Sequence, residues 1–187
     1  MDGINQPGLD YYNNLIDALL TNGIEPMVTL FHWDLPLKLQ EDFGGFDSPE
    51  IVEHFNDFAD LAFASFGDRV QKWMTFNEVS LRTTFGNTID STRYMFTFKP
   101  HSYCWQGHDV GAFPPGYGDA TGFNFYKCAH NMILAHGKAY RTYEATYKSE
   151  QNGEISITLN AFWGEPRDES SEDDILASQV SRNLKYS

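Results

Sequence analysis

The chain has 187 residues and carries 26 Asp and Glu against 13 Lys and Arg, for a formal net charge of −13. This excess of negative charge repels polyanions and argues against nucleic acids or anionic membranes as partners. No apolar run approaches the roughly 18 residues that a membrane span needs, and the length suits one domain with a sizeable core.

The first predicted element is a one-faced helix over Leu9–Leu20, where apolar residues recur at helical spacing. Gly23 follows at the position where a helix would end. The next segment, Ile24–Trp33, is short, apolar and rich in β-forming residues, which predicts a strand buried on both faces. Its Pro26 must then lie near the start of that strand.

A second helix is predicted to begin after Ser48, which provides an N-cap before a proline, and to end at Gly67. Apolar residues follow one face of this helix throughout. The chain then returns to strand character over Val70–Phe76 and arrives at the pair Asn77-Glu78. A carboxylate is therefore predicted at the end of a buried strand.

A long connection, Ser80–Phe123, separates this strand from a third helix predicted over about Phe125–Tyr147. Connections of such length are usually functional, and its rings could wall a binding cleft or only pack the connection down. The rings are Tyr94, Tyr103, Trp105 and Tyr117. A third strand, EISITLN, ends at Asn160, and the charged run at 165–174 is expected to be a solvated loop.

Helices and strands alternate along the chain, which is the order that produces a parallel sheet with helices packed outside it. In such α/β folds, ligands gather at the carboxyl ends of the strands. Those ends carry His32-Trp33-Asp34, Asn77-Glu78 and Asn160. The sequence therefore predicts that polar residues from three strands meet at one edge of the sheet.

Glu78 is the residue whose position most needs a reason, because a carboxylate is costly to bury unless it is paired or functional. With Asn77 and the pair His32-Trp33 it suits the recognition and cleavage of a sugar. Amide and imidazole groups bind ring hydroxyls, an indole covers the apolar face, and a partly desolvated carboxyl can deliver a proton. The simpler alternatives are a glutamate in an ion pair and a histidine in the core or on the surface.

Several stretches, in order and at compatible spacing, resemble glycoside hydrolase family 1, which includes β-glucosidases, lactases and myrosinases. They are GINQPGLDYYNNLIDALLTNGIEP (3–26), LFHWDLP (30–36), FGDRVQKWMTFNE (66–78) and AHNMILAHGKAY (129–140). The resemblance implies an α/β fold, a (β/α)8 TIM barrel, of which this chain would hold about strands 3 to 5. It also implies retaining hydrolysis of β-glycosides, with residues 1–187 as a partial catalytic domain and about 80–123 as a long active-site loop.

At positions that match the family motifs, the resemblance implies that Glu78 is the acid/base and that Asn77 binds the sugar 2-hydroxyl. His32 is implied to bind glycone hydroxyls, with Trp33 as a substrate-binding candidate that acts mainly in support. Asn160 resembles the end of the fifth barrel strand, where support is expected more than catalysis. The implied partner is a small-molecule β-glycoside, and no metal or other cofactor is implied.

The sequence also departs from the family pattern. Val79 stands where the family motif TFNEP has a proline, so the turn loses a fixed φ. The late TENG motif of the family nucleophile is missing, and so are the early glutamine-bearing strand and the late tryptophan-rich strand. We therefore expect a fragment that carries the acid/base half of the site and is inactive by itself. The alternative is a non-catalytic relative that binds glycans or a protein partner.

The cysteines and histidines of the second half have simpler interpretations than a metal site. The candidates for such a site are His101, Cys104, His108, Cys128 and His130. Their spacing matches no compact ligand pair, so no metal is expected. His130 and His136 are expected to pack in the third helix or lie on its surface. No glycine-rich phosphate loop and no Gly-x-Ser-x-Gly motif occur.

The two cysteines, Cys104 and Cys128, are too few for a disulfide scaffold, and both a single bridge and two buried thiols stay open. The first residues have neither the basic start nor the apolar stretch of a secretory signal. The compartment is therefore undetermined, although a secreted or lysosomal location is expected for a full-length parent.

Overall fold

The computed structural model describes residues 3–79, 104, 123–159 and 164–186. Its helices are α1 (Gln6–Thr21), α2 (Leu37–Phe43), α3 (Ile51–Phe66), α4 (Phe123–Thr146), α5 (Lys148–Gln151) and α6 (Glu172–Tyr186). Its strands are β1 (Met27–Phe31), β2 (Lys72–Phe76) and β3 (Glu154–Ser156), and a short 3-10 turn lies at Gly45–Asp47. The predicted alternation of helices and strands is confirmed.

The strands β1, β2 and β3 form one parallel sheet in that order. Phe31 pairs with Phe76 at the carboxyl end of the first ladder. The ladders continue past the strands, because Asn77 N donates to the Phe31 carbonyl at 3.0 Å and Thr158 N donates to the Phe76 carbonyl at 3.0 Å. The three strands therefore end at the same edge of the sheet, as predicted.

The first strand, β1, is shorter and less buried than predicted. β1 spans only Met27–Phe31, and the prediction that both faces are buried was wrong for its first half, where Met27 is 58% exposed. Leu30 and Phe31 are buried. Within the described residues only β2 lies beside β1, so one edge of β1 has no strand against it.

Three helices were not predicted: α2, the four-residue α5, and α6. Gly44 ends α2 in a left-handed conformation at φ 86°, and its N–H donates to the Gln40 carbonyl. α6 begins at Glu172, so the prediction of a loop over the whole charged run 165–174 was wrong at its end. Its first turn holds Glu172, Asp173 and Asp174, and negative charge is favourable at this end of a helix dipole.

Aromatic rings fill the space between the sheet and the helices α3 and α4. The Phe63 ring makes edge contacts at 5.0 Å between centroids with Trp73 of β2 and Tyr143 of α4. Phe55 stacks on Phe76 at 4.2 Å. Because Phe63, Phe76 and Trp73 are 1% exposed or less, this layer holds β2 firmly against both helices.

The amino-terminal edge of the sheet is held by charged groups. Arg69, just before β2, donates from Nη1 to Asp17 of α1 at 2.6 Å and from Nη2 to the Ser65 carbonyl of α3 at 3.2 Å. Lys72, the first residue of β2, donates from Nζ to Glu25, just before β1, at 2.7 Å. These contacts join the start of β2 to α1, to α3 and to the segment before β1, and they lie opposite the carboxyl edge.

A disulfide joins Cys104 to Cys128 of α4, with 5.7 Å between their Cα atoms. Both cysteines are buried, and the Cys104 sulfur lies 3.4 Å from the sulfur of Met132. Of the two alternatives left by the sequence, the structure has the bridge. It ties a point of the long connection to the helix that follows it.

The 187-residue chain by itself is expected to self-associate, because apolar side chains of α1 are exposed and no other described strand lies against the outer edge of β1. The exposed residues of α1 are Tyr11, Tyr12, Leu15 and Leu20. They are not part of a membrane span, since none of the described helices combines the length and apolarity that crossing a bilayer requires. Sedimentation velocity should give a mass that rises with concentration.

The matched variants are Leu15→Glu, on this apolar face, and Asn14→Glu, at an exposed polar position of the same helix. Leu15→Glu should shift the distribution toward the monomer, whereas Asn14→Glu adds the same charge and should leave it unchanged. A chain that stays monomeric at all concentrations, without any substitution, would contradict the expectation.

Candidate active site

Four of the residues singled out in the sequence lie at the carboxyl edge of the sheet. Since Phe31 pairs with Phe76, the residues that follow them, His32 and Asn77, occupy equivalent positions on adjacent strands. Trp33 and Glu78 come next on the same two strands. The structure therefore brings these four residues to one place from two segments of sequence.

The backbone of Asn77 and Glu78 is held at three points, two of them on the peptide group that joins the two residues. Asn77 N donates to the Phe31 carbonyl of β1 at 3.0 Å, and Glu78 N donates to the Thr158 carbonyl, beyond β3, at 2.9 Å. The carbonyl of Asn77 accepts from the Trp33 indole Nε1 at 3.0 Å. Because both neighbouring strands fix this peptide, the position from which the Glu78 side chain departs is defined.

The backbone of Glu78 is left-handed, with φ 57°, and that of Trp33 is left-handed at φ 73°. Among the described residues, Asn152, at the end of α5, is the only other non-glycine residue with a left-handed backbone. Such conformations cost about 1–3 kcal/mol each and concentrate at functional sites. Two of them on adjacent strand ends single out this edge, and Glu78 and Trp33 are both half-buried there.

Trp33 directs its indole N–H at the protein and not at an open space, since this group donates to the Asn77 carbonyl. Its ring lies 6.5 Å from that of His32 between centroids, at 80° between the ring planes. The contact supports the sequence interpretation in which Trp33 acts mainly by holding its neighbours. The indole faces stay suited to contact with apolar surface.

His32 is exposed at the edge of the sheet. Its backbone N–H donates to the Asp34 carboxylate at 3.0 Å, which closes the turn at the end of β1. The simpler interpretation of His32 as a core histidine does not apply, because the residue is not buried. An exposed imidazole at this position is available to bind hydroxyl groups.

Sequence reasoning also missed a polar contact between β2 and α4 near the site. The buried Thr75 of β2 shares a hydrogen bond of 2.8 Å with Nδ1 of His136 on α4, and Thr75 Oγ1 donates to the Ser156 carbonyl of β3 at 3.4 Å. Burial lowers the pKa of His136. The expectation that His136 belongs to packing or surface was therefore incomplete, whereas His130 is exposed as expected.

Some sequence predictions lie outside the described residues. These are Asn160 and the rings of the long connection, Tyr94, Tyr103, Trp105 and Tyr117. Val79, which stands in the place of the family proline, is described and is 5% exposed, so this turn is packed against its surroundings. Within the part of the chain that the structure describes, no group of three or more His, Cys, Asp or Glu is placed to hold a metal ion.

Comparison with known proteins decides the family. The model of glycosyl hydrolase family 1 matches residues 1–89 and 81–187, which together are the whole chain. The chain belongs to glycosyl hydrolase family 1. The furostanol glycoside 26-O-β-glucosidase of Hellenia speciosa is 45% identical over 174 residues, which are 91% of this chain and 28% of that enzyme.

Solved structures of family 1 enzymes agree with the fold. The rice Os3BGlu6 β-glucosidase superposes with a TM-score of 0.76 at 35% identity over 99% of this chain. A variant of the same rice enzyme, in a covalent complex with Glc, gives 0.76 at 34% identity over 99%. This family 1 chain is therefore an α/β portion of a (β/α)8 TIM barrel, and it spans 36% of each of those two chains.

Proposed function

We propose that this family 1 chain carries the acid/base half of the active site of a retaining β-glycosidase that hydrolyses O-glycosidic bonds. The observation that supports this most directly is the Asn77–Glu78 peptide at the end of β2, which both neighbouring strands hold and in which Glu78 has a left-handed backbone. Such a peptide presents a carboxyl group in a fixed place at the edge where barrel enzymes bind substrate.

Glu78 is the acid in the first step and the base in the second. In the first, its proton passes to the glycosidic oxygen while the bond from that oxygen to the anomeric carbon breaks and a nucleophile carboxylate bonds to that carbon. In the second, Glu78 takes a proton from water while the water oxygen displaces the carboxylate. The nucleophile carboxylate would come from parts of the barrel outside these 187 residues.

The other strand-end residues bind the sugar. Asn77 accepts or donates a hydrogen bond at the 2-hydroxyl, where contacts strengthen in the transition state. His32 is exposed at the same edge and binds hydroxyls of the glycone, and Trp33 lies between the two strand ends. Residues 1–187 then form part of a catalytic domain, with about 80–123 as the rim of the substrate cleft.

Two relatives support the retaining mechanism and the substrate class. The plant enzyme from Hellenia speciosa is a β-glucosidase by name, and the rice variant forms a covalent complex with Glc. A covalent glycosyl-enzyme is the intermediate that distinguishes retention from inversion. The chain spans about a third of such enzymes, so the activity belongs to a completed barrel.

The proposal can be tested with a hybrid barrel, in which these 187 residues replace the matching third of the rice Os3BGlu6 β-glucosidase. The hybrid barrel should hydrolyse an aryl β-glucoside, measured by release of the phenol. The 187-residue chain by itself should show negligible turnover, because a single carboxylate cannot complete the double displacement. Equal activity of the hybrid barrel and the isolated chain would contradict the proposal that the chain carries only the acid/base half of the site.

The alternative is a non-catalytic relative that binds glycans or a protein partner. Val79 in the place of the family proline favours it, since the turn after Glu78 then lacks a fixed φ. A hybrid barrel that binds a glucose-like inhibitor but does not release phenol would support this alternative. If Val79→Pro then restored release, the single substitution would account for the loss.

A further inference from the structure

Helix α4 reaches the sheet close to the proposed acid/base through one polar contact. His136 Nδ1 and Thr75 Oγ1 are 2.8 Å apart and share a hydrogen bond across 61 residues of sequence. Thr75 has no exposed surface and lies three residues before Glu78 on β2. The surrounding core is largely apolar, so the buried hydroxyl of Thr75 needs a partner within the protein, and His136 provides it.

The contact continues to the third strand. Thr75 Oγ1 donates to the Ser156 carbonyl at 3.4 Å, and two residues later Thr158 N donates to the Phe76 carbonyl at 3.0 Å. The Thr158 carbonyl in turn accepts from Glu78 N at 2.9 Å. A hydroxyl has one proton, so when Thr75 donates to Ser156 its oxygen accepts from Nδ1–H of His136.

The end of β3 needs such support. The strand is only three residues long, and its continuation through Thr158 is the part that fixes Glu78 N. Other polar groups of α4 bind elsewhere: Asn131 donates to the Phe46 carbonyl at 2.8 Å, and Thr142 donates to Asn56 of α3 at 2.7 Å. Among the described polar contacts of α4, that of His136 reaches the strand that leads to Glu78.

We propose that His136 and Thr75 are positioning residues for Glu78: the imidazole fixes the Thr75 hydroxyl, and this hydroxyl fixes the continuation of β3 on which the backbone of Glu78 depends. The inference rests on the proposed function and extends it to a helix residue that does not touch the substrate. Removing the His136–Thr75 hydrogen bond should slow proton transfer from Glu78 to the leaving oxygen more than it weakens sugar binding.

The test compares two substrates of the hybrid barrel, phenyl β-glucoside, whose leaving group needs protonation, and 2,4-dinitrophenyl β-glucoside, whose leaving group does not. In Thr75→Val and in His136→Phe, kcat/KM for the phenyl substrate should fall about tenfold. With the dinitrophenyl substrate it should stay within about twofold. The double variant should lose no more than either single variant, because both remove the same contact.

Conservative variants separate positioning from folding. Thr75→Ser keeps the hydroxyl, and His136→Asn keeps a polar atom near the position of Nδ1, so both should retain most of the activity on the phenyl substrate. His130→Gln, at an exposed position of the same helix, should change nothing. Equal losses on both substrates in Thr75→Val and His136→Phe, or additive losses in the double variant, would overturn the inference.

The result also distinguishes this inference from the proposed function. If Glu78→Gln changes kcat/KM equally for the two substrates, the proposed function is wrong and the inference is wrong with it. If Glu78→Gln lowers kcat/KM for the phenyl substrate alone, while Thr75→Val and His136→Phe leave both values unchanged, only the inference is wrong.

Discussion

In the hybrid barrel, Glu78→Gln is expected to lower kcat/KM for phenyl β-glucoside by about 10²–10⁴, the usual contribution of a positioned general acid. Glutamine is isosteric but carries no transferable proton, so departure of a poor leaving group loses its assistance. The kcat/KM for 2,4-dinitrophenyl β-glucoside should change little, because that phenolate leaves without protonation. Steady-state release of each phenol is the measurement.

The matched control is Glu150→Gln, which removes the same charge from an exposed glutamate of α5. It should leave both substrates unaffected. A Glu78→Gln variant that hydrolyses both substrates at the original rate, or that loses both equally, would remove Glu78 from the acid/base role. The substrates therefore separate loss of a proton donor from loss of the folded enzyme.

Gly153→Ala is expected to lower the stability of the hybrid barrel by about 1–3 kcal/mol, the range for overpacking a filled site. A Cβ at this position would lie 2.3 Å from the Tyr143 hydroxyl and 2.9 Å from the Gln71 carbonyl. Neither group can easily move, because Tyr143 is 1% exposed and Glu154 N donates to the Gln71 carbonyl at 2.7 Å. The apparent midpoint of thermal unfolding should fall.

Gly137→Ala is the control, since a Cβ at this position of α4 would have no atom within 4 Å beyond the adjacent residues and the backbone of its own helix. There the substitution should raise stability by about 0.5–1 kcal/mol, because alanine favours a helix interior. The two variants add the same methyl group and should move the midpoint in opposite directions. If the unfolding midpoints of both variants moved in the same direction, steric crowding beside Tyr143 would not explain the glycine at position 153.

The order of elements could be predicted because the apolar periodicities of α1, α3 and α4 are long and clear. α2 was missed because it has only seven residues, too few for a periodic pattern. α6 was missed because its first turn belongs to a charged run, and a charged run is equally typical of a solvated loop. Acidic residues also suit the first turn of a helix, where the helix dipole is positive, but this preference alone does not distinguish a helix from a loop.

Much of the candidate site could also be predicted, because the rule for parallel strands needs only the strand ends, and these carry His32, Asn77 and Glu78. The contacts that shape the site could not. Trp33 reaches the Asn77 carbonyl across 44 residues and His136 reaches Thr75 across 61, and no local pattern gives the placement of a helix over a sheet.

The charged contacts of Arg69 and Lys72 lie at the opposite edge of the sheet from Glu78. In barrels, that edge serves stability while the carboxyl edge serves chemistry. The same strand, β2, therefore has one end at which heat tolerance can be engineered and another at which turnover is decided. Optimising the first should leave the second undisturbed, so a more durable enzyme of this type need not be a slower one.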